Sequence, residues 1–415
     1  MSLKIIHTSD WHLGQRFYNH ERTEEQDAFL DWLYHQLVAL QVDVLLISGD
    51  VFDTLNPSAA ALKLYYSFIA KCVTIKGLQV IVTAGNHDSP SRLNAPSALM
   101  SALHVEVVTA IDRQPDGAVD LQKLLFPLYN RQGELGAYCL AIPFLRMSDL
   151  AMGSAQTEGY PEAVDAFYTN LITEVNKSAN KNTPLIAMGH FFATQSTTSD
   201  SERSVCGGLE VVMTDRLADH VAYLAMGHIH KAQKIAQRDF MRYSGSPYPL
   251  SFSEIQYKHQ VVLVTVDTYE SVAVEPLLVP RRVDMVRVGT PSAPLSKEDV
   301  FLQLAHLPVA SEELDLAFAP FLEIHVALPA PDLLLGSEIA TALNDKYVRY
   351  VGARSHYPRV EHAVSMPIDT IDDLMEITPK QMFEQYYESK YGHEVPDELV
   401  ALFEEVTTEL TDKNH

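Results

Sequence analysis

Five times in its first 230 residues the chain runs through a short β-branched, apolar segment that stops abruptly in a polar cluster containing glycine or aspartate. The segments are "LKIIHTSDWH", "VDVLLISGDVFD", "LQVIVTAGNHDS", "PLIAMGHFF" and "VAYLAMGHIH". Unbroken apolar runs of this length suit strands covered on both faces, so helices must lie on either side of the sheet. Helical stretches do separate the first three runs. In "ERTEEQDAFLDWLYHQLVALQ", Phe29, Leu33, Leu37 and Leu40 share a face. In "PSAAALKLYYSFIAKCV", Leu62, Tyr65, Tyr66 and Ile69 do. Strands alternating with helices predict an α/β layer architecture. Further on, "QVVLVTVDTY" and "ESVAVEPLLV" predict a β-hairpin.

The texture changes near Pro280. "PRRVDMVRV" leads into a stretch from Gly289 to Lys297 that contains proline and serine. Then "FLEIHVAL", a helical "PDLLLGSEIATALND" and "YVRYVGARS" predict a small β-α-β unit ending near 360. Two helices should follow. Thr378 caps the first, Pro379 is its first helical residue and Gln381 completes a capping box. That helix should run to about Gly392. Pro396 starts the second, with Leu399, Leu402, Phe403, Val406 and Leu410 on one face. A chain of 415 residues has room for two or three such units.

Charge and cysteine content narrow the setting. Cys72, Cys139 and Cys206 are too few and too far apart for a disulfide framework or a thiolate zinc site, and suit a reducing cytosol. "MSLKIIHTSD" has no apolar h-region, so no signal peptide is expected, and no apolar run approaches the roughly 18 residues of a membrane span. The net charge of −23 argues against nucleic acid on composition alone. The acidity is uneven, however. Residues 361–415 hold 14 acidic and 3 basic residues, a net of −11, and the other 360 residues carry the remaining −12.

The polar clusters deliver Asp10, His12, Asp50, Asn86, His87, His190, His228 and His230. Carboxylate and amide oxygens with imidazole nitrogens, and no thiolate, suit Mn²⁺, Fe²⁺ or Zn²⁺ and are too rich in imidazole for a Ca²⁺ cage. Even seven such ligands, leaving out His87, exceed the needs of one ion and match two that share a carboxylate. Ligands at the carboxyl ends of strands are where α/β sheets place their sites. Positions i and i+2 of a strand face the same way, so Asp10 and His12 are expected to meet one metal, with Trp11 turned away and packed behind the site; His228 and His230 have the same spacing. Glycine precedes Asp50, Asn86, His190 and His228, and is expected to let the backbone turn sharply off each strand. A single "GH" or "GD" would mean little; five apolar runs that all end in candidate ligands mean more.

These blocks, "DWH", "GDVFD", "GNHD", "GH" and "GHIH", in that order across residues 1–260, resemble the calcineurin-like metallophosphoesterases. Within that superfamily, "HTSDWHLGQ", "GDVFDT", "AGNHDS", "GHIH" and "YSGSPYPLSFSE" look like the SbcD family of bacterial nuclease subunits, whereas Ser/Thr phosphatases usually read "GDYVDRG" and "GNHE". The resemblance implies a four-layer α/β/β/α sandwich over residues 1–279, a small α+β capping domain that contacts DNA over 280–362, and C-terminal helices over 375–411. It implies that Asp10, His12, Asp50 and His230 hold one divalent ion, most often Mn²⁺, and that Asp50, Asn86, His190 and His228 hold the other. His87 would assist at the scissile phosphate or protonate the leaving oxygen. Asp53 would orient His87, although archaeal and eukaryotic relatives usually carry histidine at that place.

The implied activity is metal-dependent cleavage of DNA, as a double-strand exonuclease and a single-strand or hairpin endonuclease, in end processing, replication and recombination. The implied setting is a cytoplasmic, nucleoid-associated homodimer inside a heterotetramer, with the C-terminal helices gripping an SbcC-type SMC-like ATPase. Candidate DNA contacts are Arg281, Arg282, Arg287, Arg349, Arg354 and Arg359, and the "SVCGGLEVV" loop at 204–212. The alternatives are a protein phosphatase or small-nucleotide phosphodiesterase on the same two-metal site, and a non-catalytic scaffold.

Overall fold

The computed structural model describes residues 2–94, 100–150, 159–178, 183–194, 196–198, 212, 221–268, 271–358, 378–391 and 394–412. The 204–212 loop apart from Val212, and Arg359, lie outside the described residues. The chain divides into two compact units, Met1–Asp284 and Met285–His415.

All five apolar runs form strands: β1 (Leu3–Thr8), β2 (Val44–Ser48), β3 (Gln79–Thr83), β7 (Leu185–His190) and β8 (Tyr223–Gly227). They are joined by β4 (Val105–Val108), β5 (Leu125–Tyr129), β6 (Leu135–Ala141), β9 (Gln233–Ile235), β10 (Arg238–Tyr243), β11 (Gln260–Val266) and β12 (Val272–Leu278). Two six-stranded sheets result, in the orders β12-β11-β1-β2-β3-β4 and β5-β6-β7-β8-β10-β9. The four strands of the first sheet that run from β1 to β4 are parallel, and the β11–β12 hairpin adds antiparallel to β1.

The period of two explains the layers. In β2, Val44 and Leu46 belong to the core shared with the second sheet, whereas Leu45 and Ile47 pack under helices α1 (Thr23–Ala39) and α2 (Ala59–Val73). Leu30, Leu33 and Leu37 of α1 and Ala61, Tyr65, Phe68, Ile69 and Cys72 of α2 are buried there. Leu62 and Tyr66 flank this face rather than centre it. The second sheet is covered by α3 (Tyr160–Ser178) through Val164, Tyr168, Ile172 and Val175. The order helix, sheet, sheet, helix is the four-layer sandwich expected from the sequence.

One buried group in this core makes stability sensitive to acid. His7 of β1 is fully buried, with Nδ1 2.9 Å from the Tyr223 hydroxyl of β8. Burial first, then the Arg242 charge, lowers its pKa from 6.5 to about 3. The unfolded chain therefore takes up a proton below pH 6.5 that the native chain refuses. Stability should fall by about 1.4 kcal/mol per pH unit between there and about 3 from this group alone. Denaturant titrations at pH 4 to 7 should show that component in the parent and not in His7→Gln; equal pH slopes would contradict it.

The second unit contains β13 (Met285–Val288), α4 (Lys297–Ala305), β14 (Phe321–Ala327), α5 (Leu335–Ala342) and β15 (Arg349–His356). Its parallel sheet, β13-β14-β15, packs Val288, Leu322, Ile324 and Val326 against Val300, Leu304, Leu335 and Ile339. The sequence shows β14, α5 and β15. It hides β13 and α4, because a four-residue strand and a nine-residue helix capped by the Ser296 hydroxyl both sit beside a proline- and serine-containing stretch. After them come α6 (Pro379–Tyr391) and α7 (Asp397–Asp412). The capping box is present: Gln381 N–H donates to Thr378 Oγ1 (3.2 Å), and Thr378 N–H to Gln381 Oε1 (2.9 Å). Phe383 stacks on Phe403 at 4.5 Å, Lys380 pairs with Glu404, and Tyr391 meets Tyr357 edge-on.

Candidate metal centre

The candidate ligands at the carboxyl ends of β1, β2, β3, β7 and β8 converge on one buried cluster. Among the described residues, Asp10, His12 and His230 offer ligand atoms within 4.8 Å of one another, and so do Asp50, His190 and His228. Asn86 joins the second group: its Oδ1 lies 3.0 Å from His190 Nε2 and 2.9 Å from His228 Nδ1. Asp50 stands between the groups. Its Oδ2 is 3.2 Å from His190 Nε2 and 3.7 Å from His12 Nε2, and its Oδ1 accepts the His87 N–H at 2.8 Å.

The pairing of Asp10 with His12 does not arise from strand periodicity. β1 ends at Thr8, and both residues take left-handed backbone, with φ of 54° and 45°. The two loops are laced together instead: Asp10 N–H donates to the Gly49 carbonyl and His12 N–H to the Asp50 carbonyl. Asp50 and His228 also have positive φ, 47° and 100°. Left-handed backbone at four non-glycine residues of one cluster is held only where the surroundings over-determine it. Trp11 does turn away: it is fully buried against Phe29 and Phe68, with its indole N–H on Thr8 Oγ1. His228 and His230 part company, one in each group.

The glycines before the ligands also act differently from expectation. Only Gly49 has the left-handed φ of a sharp turn. Gly85 and Gly227 are there because chains touch: a Cβ would sit 2.2 Å from Asp50 Oδ1 at the first and 1.9 Å from the Ser48 carbonyl at the second.

The electrostatics are those of crowded, desolvated carboxylates and imidazoles. Burial works to raise both carboxyls. For Asp50 the surrounding His190, His12 and His87 prevail and hold it well below its ordinary value. For Asp10 burial prevails and it is raised. Burial works to lower His190, but the Asp50 charge lifts it to about 9; His228 is driven well below its usual value by burial and then by His190. His12 Nε2 and His228 Nε2 are buried without a hydrogen-bond partner. Orphaned imidazole nitrogens beside two buried carboxylates and an amide oxygen fit divalent cations of the Mn²⁺–Zn²⁺ type.

His87 and Asp53 occupy one corner with His12. The sequence led us to expect that Asp53 orients His87 with its carboxylate. The hydrogen bond to His87 Nδ1 runs instead to the Asp53 main-chain carbonyl (2.7 Å), and the carboxylate Oδ1 lies 3.3 Å from His12 Nδ1. Sequence reasoning misses two supporting residues. Asp88, fully buried, accepts N–H groups of Val51, Phe52 and Gly85 and so ties the β2 loop to the β3 loop; burial, then the Asp50 charge, raises it to about 6. Its signal is the last letter of "GNHD". Glu254, whose Oε1 is 3.1 Å from His230 Nδ1, comes from a separate turn, and its signal is the last letter of "YSGSPYPLSFSE".

The calcineurin-like phosphoesterase family model matches residues 3–232. The SbcD subunit of the nuclease SbcCD from Rhodobacter capsulatus is 36% identical over 389 residues, covering 92% of this chain and 93% of that one. Its namesake from Escherichia coli K12 is 36% identical over 285 residues (67% and 68% of the two chains), and that of Bacillus subtilis 31% identical over 277 (63% and 66%). The chain therefore belongs to the calcineurin-like phosphoesterase family and, within it, to the SbcD family of metal-dependent nuclease subunits.

Proposed function

We propose that this site hydrolyses phosphodiester bonds of DNA, at double-strand ends and in hairpins. The observation that supports it best is the division of the donor side chains into two groups on either side of Asp50, with His87 beside them. Asp10, His12, Asp50 and His230 would hold one ion, and Asp50, Asn86, His190 and His228 the other, with Mn²⁺ the ion best suited. Bound there, the pair would supply a water of lowered pKa and neutralise charge on the phosphoryl oxygens.

The chain's own residues do the rest. Asp10 is fixed on both oxygens, Oδ1 by the His228 N–H and Oδ2 by the Ser9 hydroxyl. The His190 ring is fixed through Nδ1 on the Ser48 carbonyl. A carbonyl only accepts, so His87 donates Nδ1–H to Asp53, and Nε2 is the nitrogen that would carry a proton to the departing alkoxide. No serine or cysteine nucleophile is needed.

The rest of the chain fits a DNA-processing assembly. The 280–362 region, read as a capping domain, carries the arginines. Arg287 and Arg354 engage Glu323, and Arg349 lies over Phe321, so part of that charge is matched within the unit. The helices of 375–411 keep Met382, Tyr386, Leu402 and Val406 between 41% and 56% exposed, an apolar face suited to an SbcC-type SMC-like ATPase in a cytoplasmic, nucleoid-associated heterotetramer built on a homodimer. A chain ended near residue 365 should still cut DNA and should no longer co-purify with that ATPase; retained co-purification would sink the docking role.

The activity is tested with end-labelled duplex and hairpin DNA, in Mn²⁺ and in EDTA, beside small phosphoesters. Cleavage in Mn²⁺ alone is expected. Intact DNA in every metal with turnover of the small esters would favour a phosphatase.

A further inference from the structure

The imidazoles of the site differ in what holds their second nitrogen. Nδ1 of His190 and of His87 each faces a main-chain carbonyl, of Ser48 and Asp53. Nδ1 of His230 faces a buried carboxylate, Glu254 Oε1, at 3.1 Å. Glu254 ends a single 3₁₀ turn, Phe252–Glu254, and is fully buried. Its other oxygen, Oε2, accepts the Leu250 N–H at 2.8 Å and lies 3.5 Å from Ser246 Oγ. Ser246 N–H in turn donates to the His230 carbonyl at 3.0 Å. One side chain thus grips the His230 ring, while the loop that it closes grips the His230 backbone.

A carboxylate is an expensive way to satisfy Leu250. Any neutral acceptor would serve an N–H, and a buried charge is disfavoured unless something nearby needs it. What a carboxylate supplies that an amide does not is a firm hold on Nδ1–H together with a more basic Nε2 on the far side of the ring. With Nδ1 held by Glu254, Nε2 is the nitrogen that would serve the cluster with Asp10 and His12.

We propose that Glu254 is the positioning residue for His230, fixing its tautomer and orientation and strengthening one of the two metal positions and not the other. This rests on the reading of His230 as a ligand. Removing such a partner lowers metal affinity roughly 10- to 100-fold.

Mn²⁺ titration of the full chain tests it, with thermal melts as a check on folding. The parent should bind two ions. Glu254→Ala should weaken one of them by about 10- to 100-fold and leave the second unchanged, and Glu254→Gln, which keeps an acceptor of the same shape, should fall between the two. In a His230→Ala background, Glu254→Ala should add nothing, because its effect passes through that ring. Should Glu254→Ala fail to fold, the Gln variant carries the same comparison. A parent that binds no Mn²⁺ overturns the metal reading itself. A parent that binds two, with folded Glu254 variants that bind both ions as tightly, overturns the role of Glu254 alone. So does a loss that remains undiminished in the His230→Ala background, which would mark Glu254 as merely structural.

Discussion

Asp50→Asn is expected to lose bound metal and DNA cleavage together while staying folded. One carboxylate oxygen lies between His190 and His12, which belong to different groups, so its charge is the term common to both positions. The other accepts the His87 N–H, a role that an amide oxygen also fills, and this keeps the loops in place. Removing a charge that both ions would share should lower turnover by on the order of 10³-fold. Elemental analysis and the cleavage assay, run on the same preparation, check it. Full metal content with lost cleavage would show that Asp50 acts on the substrate and does not join the ions.

His87→Gln should give the opposite pattern. Metal content should stay at the parent level while turnover falls by roughly 10²- to 10⁴-fold, the usual contribution of a positioned acid. The expectation is sharp because His87 sits close to His12 and Asp53, with its ring 4.7 Å from the His12 ring, in an arrangement that itself has ligand spacing. If the variant loses an ion, His87 is a ligand and the proton must come from elsewhere. The pH profile separates these outcomes as well: loss of the acidic group should remove the alkaline fall in turnover, whereas loss of an ion should lower the whole curve.

The layered core was legible because each strand is buried on both faces and reads as an unbroken apolar run. Leu45 and Leu46 point to opposite cores, yet both must be apolar. The candidate ligands were legible because each closes such a run. Their local geometry was not. Asp10 and His12 share a group through left-handed turns laced to the Gly49–Val51 backbone, and spacing alone cannot distinguish that from a strand face. The glycines were visible, but the close packing at Gly85 and Gly227 depends on residues far away in sequence. Asp88 and Glu254 stand inside visible blocks, but what each holds, the Val51 and Phe52 backbone and the His230 ring, lies far away in sequence, and a motif letter does not name a distant partner. In the second unit, α4 escaped because it follows directly on the proline- and serine-containing stretch, whose punctuation reads as loop.

The central claim is that one carboxylate joins two ions across this cluster. Anomalous diffraction at the manganese edge, from crystals of the full chain grown with Mn²⁺, tests it most directly. The account predicts two peaks roughly 3.5–4 Å apart, both in contact with Asp50, one beside Asp10, His12 and His230 and the other beside Asn86, His190 and His228. A single peak, or a pair that Asp50 does not touch in common, would contradict it.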